Sequence, residues 1–442
     1  MNNLNSGSDG IDHNDKTKIA PLAERNRIHV IDTIRGLAIF GILLANIIAY
    51  AFPGWEGSSV WKMAETTADY VFLYFVSIFI GGKFFSIFSI LFGFGLAIQY
   101  SRMSNRDTDF IPTYRRRLLI LFIIGIIHGV FLYPGDILAF YALIAGIAFL
   151  FRDKSVLYLK RAFISLIIIS VLILFVSIQL FPSLLGDYEP DWESLAHERQ
   201  IELQKTNEPE TDDWQLNLYQ LMSDEKRLNK EGPLWGLLLY QSIVYLGIGF
   251  PLRLLLVTWR CLPLFILGMY IYKNGIFSNL TENRHRFRSW LISGLPLGIL
   301  LHLIAGGIQL SGVNNIGTNL ILAVVIVVGP LLMALSYIGL TIILSRFNLI
   351  QKIYTAISAV GRMALSNYLL QSVIAGILFR FYGWALYGEL KPVTTFWIVL
   401  VIFVSQMVLS TWWLKYFHFG PLEWLWRKMT YRMPLAIKRV PN

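Results

Sequence analysis

The sequence predicts an all-α fold: a polytopic membrane helical bundle of about ten transmembrane helices with two re-entrant or interfacial segments and both termini cytoplasmic. Three observations carry that expectation. The 442 residues are 55% hydrophobic and only 15% charged, with a mean hydropathy of +0.56, which leaves too little charge for a water-facing surface. The apolar residues gather into runs of about 18 to 25, the length a helix needs to cross a hydrocarbon core of roughly 30 Å. Lysine and arginine concentrate in alternate connections, at 16–35, 102–117, 152–161, 273–288, 346–362 and 415–439, and basic loops stay on the cytoplasmic side. The net charge of +10 therefore reports topology before it reports a partner, and nucleic acid is not expected. A single cysteine, Cys261, excludes a disulfide framework or a thiolate metal cluster, and no metal is expected.

Taken in order, residues 1–27 are rich in Asn, Asp, Ser, Gly and Lys and are expected to form a disordered cytoplasmic tail, because they hold too little apolar surface to offset the entropy of ordering. The first apolar run begins near Ile28 with no cleavable signal before it, so it reads as a retained first helix. An N-terminal membrane half follows over 28–182, with apolar runs at 36–52, 83–101, 117–133, 137–151 and 162–182. Residues 183–232 carry thirteen acidic against five basic residues and are expected to form an external cap. The C-terminal membrane half, 233–442, has runs at 254–272, 289–309, 318–344, 363–380 and 393–414. Two further apolar stretches, 68–82 and 233–250, each meet the next run at a break, Gly81-Gly82-Lys83 and Pro251-Leu252-Arg253. Counting both as full spans would put the basic loop at 102–117 outside, so they read as re-entrant or interfacial.

Ionisable groups inside spans are costly, on the order of 2.5–3.5 kcal/mol each at the centre, and so mark candidate sites. His128 follows Arg117 by eleven residues, which at about 1.5 Å per residue places it roughly 16 Å into its span. It sits in Gly125-Ile-Ile-His-Gly129, where small residues admit a close neighbour, and Asp136 follows in the Tyr133-Pro-Gly-Asp136 turn of the same hairpin. A base and its orienting carboxylate are the expected catalytic pair; a polar contact between helices and an N-terminal cap are the structural alternative. Asp32 and Arg35, at i and i+3, share a face at the inner mouth, where a guanidinium suits phosphate or carboxylate. Lys83, Arg253 and Arg260 stand where the two broken stretches meet their spans and are candidates to face a buried anion. Asn367 and Gln371, at i and i+4, with Tyr368 and Ser372 one position round, give the ninth span a polar face; Gln406 and Ser410 repeat the spacing in the tenth. That face is either glue between helices or a hydrogen-bonding wall for substrate.

Four stretches resemble the YeiB-like family of bacterial membrane proteins: Asp32-Thr-Ile-Arg-Gly36 through Asn46; Lys83-Phe-Phe-Ser through Gly93-Phe-Gly95; Arg116-Arg117 through His128-Gly129 to Gly135-Asp136 and Tyr141; and Gly361-Arg-Met-Ala-Leu-Ser-Asn367 through Ser372 to Pro421-Leu-Glu-Trp-Leu-Trp-Arg427. The resemblance runs from about 28 to 430. It implies a bacterial plasma-membrane location and, through a distant likeness of the N-terminal half to transmembrane acyltransferases of the heparan-α-glucosaminide N-acetyltransferase type, an acyl group moved from cytoplasmic acyl-CoA to an external or membrane acceptor. Those enzymes carry a catalytic histidine in the external loop after the first span, and the corresponding residues 52–59 here have none. His128 with Asp136 is the candidate replacement, with Arg35, Lys83 or the cytoplasmic arginines for the phosphates of acyl-CoA and Asn367, Tyr368 or Gln371 for the developing oxyanion. The acceptor would be a small molecule, glycan or lipid, and the bilayer the obligatory surrounding; an oligomer is compatible with these features. The rival reading is a transporter of a small anionic or amphipathic solute, in which the same cations and broken helices build an alternating site.

Overall fold

The computed structural model describes residues 29–54, 60–104, 110–180, 192–206, 214–432 and 434–439; the N-terminal tail, most of the 52–59 loop and parts of the acidic segment lie outside these. The described residues are helical almost throughout: α1 His29–Ala51, α2 Thr67–Phe75, α3 Lys83–Ser104, α4 Phe110–Phe131, α5 Leu138–Ala148, α6 Val156–Leu180, α7 Trp192–Thr206, α8 Trp214–Ser223, α9 Glu225–Glu231, α10 Leu234–Ser242, α11 Phe250–Lys273, α12 Arg284–Ser289, α13 Leu295–Ser311, α14 Ile316–Leu344, α15 Gln351–Arg362, α16 Ala364–Phe379, α17 Pro392–Tyr416 and α18 Pro421–Tyr431. Among them, seven helical runs are long and apolar enough to cross a membrane, or eight if α15 and α16, bent by 83° at their junction, count as one broken span.

Within the described residues each of the ten expected runs is largely helical, but seven or eight, not ten, are candidate spans. α4, the expected run 117–133, is a span-length helix with a basic start, and its exposed Leu119, Ile123, Ile127 and Phe131 recur every fourth residue as a stripe suited to lipid. α5 is short and almost wholly buried, so it lines the interior. The two ambiguous stretches resolve differently. Residues 67–102 form one continuous candidate span, α2, a π-helical segment and α3, broken only by the turn at Gly81-Gly82, where Gly82 takes φ +77°. At the second stretch the expected break is absent: the chain is helical without interruption from 234 to 273, the junction being a π-helical segment Ile243–Gly249 rather than a break at Pro251. Proline is tolerated there because it falls in the first turn of α11.

The centre of the bundle is α1, α11 and α14, each with 56–61% of its apolar window buried, while α6 and α13 lie at the rim with 17% and 11%. Glycines set the closest crossings. Gly93 of α3 and Gly268 of α11 meet reciprocally, since a Cβ on either would stand 2.0 Å from a carbonyl oxygen of the other helix, Phe265 O or Ile90 O. Gly36 of α1 and Gly361 of α15 do the same against Ile357 O (2.1 Å) and Asp32 O (1.9 Å). In lipid, where apolar surface alone does not draw helices together, such close backbone approach supplies the dispersion energy of association. Asp69 ties α2 to α17: it closes a capping box with Thr66 and accepts from the Val393 amide at 3.0 Å.

The described end of the acidic segment docks on the bundle. The half-buried Glu225 accepts from the Gly54 amide (3.0 Å) and from the Tyr387 hydroxyl (2.6 Å), Lys230 pairs with Glu389, and the Phe381 amide donates to Asn229 O (2.6 Å). Desolvation holds the Glu225 carboxyl above its usual range, against hydrogen bonds from Tyr387, Gly54 and Tyr240 that pull it down.

Two outcomes follow from this packing. Gly268→Ala should destabilise the protein by about 1–3 kcal/mol through overpacking of α3 on α11, read as a lower thermal midpoint in detergent, whereas Gly306→Ala, with nothing within 4 Å, should leave the midpoint unchanged. Because Glu225 binds its proton more readily folded than unfolded, the stability it contributes is complete below the unfolded pKa of about 4.3 and is lost as pH rises through the folded value. Limited proteolysis of the segment around 192–232 should therefore speed up with rising pH across that window, and Glu225→Gln should flatten the profile.

Candidate active site in a buried hairpin

α4 carries His128 one turn from its end, and the Tyr133-Pro-Gly turn reverses the chain so that Asp136 comes back onto it. Close packing makes this possible: a Cβ on Gly125 would stand 2.2 Å from the Ala139 amide nitrogen of α5, and one on Gly129 would meet the Tyr245 ring at 2.2 Å. His128 Nδ1 and Asp136 Oδ1 are 2.7 Å apart, with both side chains wholly shielded from solvent. The second Asp136 oxygen accepts from the Ala139 amide at 3.1 Å and the Tyr245 hydroxyl at 3.3 Å. The carboxylate thus holds the imidazole and caps α5 at once. Contact with the imidazole and capping of the next helix occur together, because its two oxygens point to different partners.

On the other side of the ring, His128 Nε2 lies 2.7 Å from Ser372 Oγ, and Ser372 Oγ lies 2.6 Å from the Tyr50 hydroxyl. With an ionised carboxylate and a neutral ring, Nδ1 would carry the proton, Nε2 would accept from Ser372, and Tyr50 would donate to Ser372. Asp136, His128, Ser372 and Tyr50 form one directed chain across α4, α16 and α1. The spacing of carboxylate, imidazole and hydroxyl is that of a nucleophile beside a base oriented by a third group.

The polar face of α16 divides. Asn367 and Gln371 turn to α17: Asn367 Nδ2 donates to Ser410 Oγ (3.0 Å) and Val360 O (3.2 Å), Gln371 Nε2 donates to Gln406 Oε1 (2.9 Å), and Gln406 Nε2 donates to Asn367 O (2.9 Å). These residues join helices and do not reach His128. Tyr368 does, with its ring centroid 5.0 Å from that of His128. Its hydroxyl is buried with no hydrogen-bond partner among the described residues, a cost of about 1–3 kcal/mol that packing does not recover.

Cations clasp the hairpin turn from behind. Arg253 donates to Pro134 O and Arg380 donates to Leu132 O at 2.7 Å. With its amide oriented to satisfy its neighbours, Gln241 accepts from Arg380 (2.6 and 2.7 Å) and donates to Val130 O (3.0 Å). The remaining candidates lie elsewhere. Asp32 and Arg35 pair at 2.8 Å at the start of α1, near Arg117, which stacks on Trp426 at 3.8 Å. Lys83 is fully buried at the Gly81-Gly82 break, and Arg260 lies beside it over the Phe85 ring. Among the described residues, no cluster of three or more His, Cys, Asp or Glu is arranged to hold a metal. Reading from sequence gave Ser372 no role of its own and passed over Tyr50, Tyr245, Gln241, Arg380 and His302. His302, an ionisable residue within a span, carried a usable signal; a tyrosine such as Tyr50 carried none, because tyrosine is ordinary in membrane helices.

Residues 271–433 match the model of a protein family of unknown function, DUF418. Over 431 residues the chain is 28% identical to the uncharacterized protein YxaH of Bacillus subtilis (strain 168), covering 96% of this chain and 99% of that protein. It is 28% identical over 423 residues to the uncharacterized protein YeiB of Escherichia coli (strain K12), covering 91% of this chain and 96% of that one. An uncharacterized 39.9 kDa protein in the amylase 3' region of Bacillus acidopullulyticus is 27% identical over 426 residues. No solved structure matches. The end-to-end likeness and the matched C-terminal region bear out the resemblance read from the sequence: the chain carries a DUF418 region at 271–433 and is similar over nearly its whole length to YxaH and YeiB.

Proposed function

We propose that this protein is an acyltransferase of the bacterial plasma membrane, with both termini cytoplasmic, moving an acyl group from cytoplasmic acyl-CoA to a small-molecule, glycan or lipid acceptor at or beyond the outer face. The observation that carries the reading is the buried Asp136–His128–Ser372 chain, with 2.7 Å at each link. In the proposed reaction the Ser372 oxygen attacks the thioester carbonyl while His128 takes the hydroxyl proton. The carbon–sulfur bond breaks, and the departing thiolate receives that proton from His128. The acceptor's hydroxyl or amine then attacks the Ser372 ester with the same base, regenerating the serine. Asp136 fixes the tautomer that leaves Nε2 free to accept and stabilises the imidazolium that forms. Tyr368, held against the imidazole with an unused hydroxyl, is the donor for the oxyanion, while Asn367 and Gln371 are occupied by α17. Exclusion of water around His128, 1% exposed, favours transfer over hydrolysis of the ester. Arg35 and Arg117, within electrostatic reach of each other toward the starts of α1 and α4, would hold the phosphates of acyl-CoA.

Transport is the reading favoured by the helix break at Gly81-Gly82 and the cations beside it, and it requires solute flux with no thiol release. The deciding measurement is thiol release from acyl-CoA by the purified protein in nanodiscs. His128→Ala and Ser372→Ala should each lower the rate per folded molecule by about 10²–10⁴-fold, and mass spectrometry should find an acyl adduct on Ser372 in the wild type. Release by His128→Ala at the wild-type rate would end the proposal. Tyr368→Phe separates chemistry from stability: kcat should fall by about 10²–10³-fold with KM little changed, while the midpoint holds or rises because the hydroxyl lost had no partner.

A further inference from the structure

We propose a lipid-binding site, independent of the acyl-transfer reading, where α12 meets the end of α14: the cavity between them holds the phosphate headgroup of an anionic phospholipid against Arg284 and Arg346. Both arginines line one cavity of about 110 Å³, walled by Leu280, Phe287, Ile343 and Phe347 among others. One water needs roughly 10–15 Å³ of such space, so a phosphate group and the first carbons attached to it can enter. The walls are fixed by close packing. A Cβ on Gly339 of α14 would stand 2.6 Å from Phe287 O, and Ser336 Oγ donates to Trp290 O at 2.8 Å. Arg346 is steadied by the loop before α12, where its Nη2 donates to Leu280 O (3.2 Å) and Thr281 Oγ1 (3.4 Å). Its Nε and Nη1 stay uncommitted among the described residues.

The depth of the cavity is that of a headgroup. One candidate span begins at Arg284 and another ends at Leu344, two residues before Arg346, so the two guanidinia stand where hydrocarbon gives way to water. Charge complementarity points the same way: residues 273–288 and 345–352 hold six Lys and Arg against one acid, Glu282. Arg284 and Arg346 are exposed, whereas Phe287 is buried and Ile343 half-buried, which sets a charged rim over an apolar floor. The exposed Phe347 carries that floor outward. A guanidinium fork suits phosphate, and basic pockets between membrane helices suit anionic headgroups. A free anion would use the rim and leave the floor empty, while a phospholipid occupies both. α12 continues into α13, the rim helix with 11% of its apolar window buried, so a lipid seated here fastens that rim to the central α14.

The test uses the full chain, stripped of lipid in a neutral detergent, with phosphatidylglycerol, phosphatidylcholine of the same chains and inorganic phosphate as separate probes, read by native mass spectrometry and thermal shift. Phosphatidylglycerol should be retained in preference to phosphatidylcholine and raise the midpoint, and Arg284→Gln and Arg346→Gln should each weaken its retention by about tenfold. Arg288→Gln, an exposed neighbour that does not line the cavity, should retain it as the wild type does. Should Arg346→Gln loosen the loop it bonds, Arg284→Gln carries the test, since that side chain forms no hydrogen bond or ion pair among the described residues. Equal uptake of the two lipids, or wild-type retention in Arg284→Gln, overturns the proposal. So does an equal loss in Arg288→Gln, which would reduce the effect to general surface charge, or a midpoint raised as far by inorganic phosphate as by the lipid, which would make the ligand a free anion.

Discussion

The short turn between α4 and α5 organises the polar interior of this bundle. Backbone carbonyls exposed at a turn inside an apolar region have no water to bond, and each one left unsatisfied costs several kcal/mol. Here they are answered by side chains from distant helices: Arg380 donates to Leu132 O, Arg253 donates to Pro134 O, and Gln241 bridges Arg380 to Val130 O. The same turn delivers Asp136 to His128. Satisfying the turn and orienting the imidazole are thus one requirement, and α4, α5, α10, α11 and α16 are drawn together by it.

Around this turn the bundle separates two kinds of polar contact. Some contacts only hold helices: Asn367 and Gln371 with Ser410 and Gln406, and Asp69 with the start of α17, all with donors and acceptors matched. Others leave something over. Tyr368 keeps an unbonded hydroxyl beside His128, and the buried Lys83 amine has hydrogen bonds only to the neutral Ser77 carbonyl and the His302 ring among the described residues. Structural polar groups in lipid approach full satisfaction, so unspent capacity separates a site from glue more sharply than polarity does.

The glycine crossings explain how a chain with so few polar residues fixes one packing. Gly93 with Gly268 and Gly36 with Gly361 bring backbones into contact at two places, joining α3 to α11 and α1 to α15. The second crossing lies beside the 83° bend between α15 and α16, so the helix that presents Ser372 and Tyr368 is anchored where it turns into the bundle. Glu423 adds to that anchor by accepting from the Leu365 and Ser366 amides at 2.6 and 3.0 Å, which caps the first turn of α16.

Composition and run length alone determined that this chain is an all-helical membrane protein, because about 20 apolar residues have one stable arrangement in a bilayer. His128 and Asp136 were legible as a pair for a local reason: eight residues and a Pro-Gly turn confine both to one hairpin. The hydroxyl hydrogen-bonded to His128 was not. Ser372 is 244 residues from His128, and of four adjacent polar side chains on α16 only the direction of the helix decided that Tyr368 and Ser372 face the imidazole while Asn367 and Gln371 face α17. The two breaks show the same division. Gly81-Gly82 interrupts its helix because Gly82 adopts a positive φ, whereas Pro251 does not, because it falls in the first turn of α11. Local chemistry sets which residues can bond or bend; which of them meet depends on helix rotation and crossing, and those are fixed by contacts hundreds of residues apart.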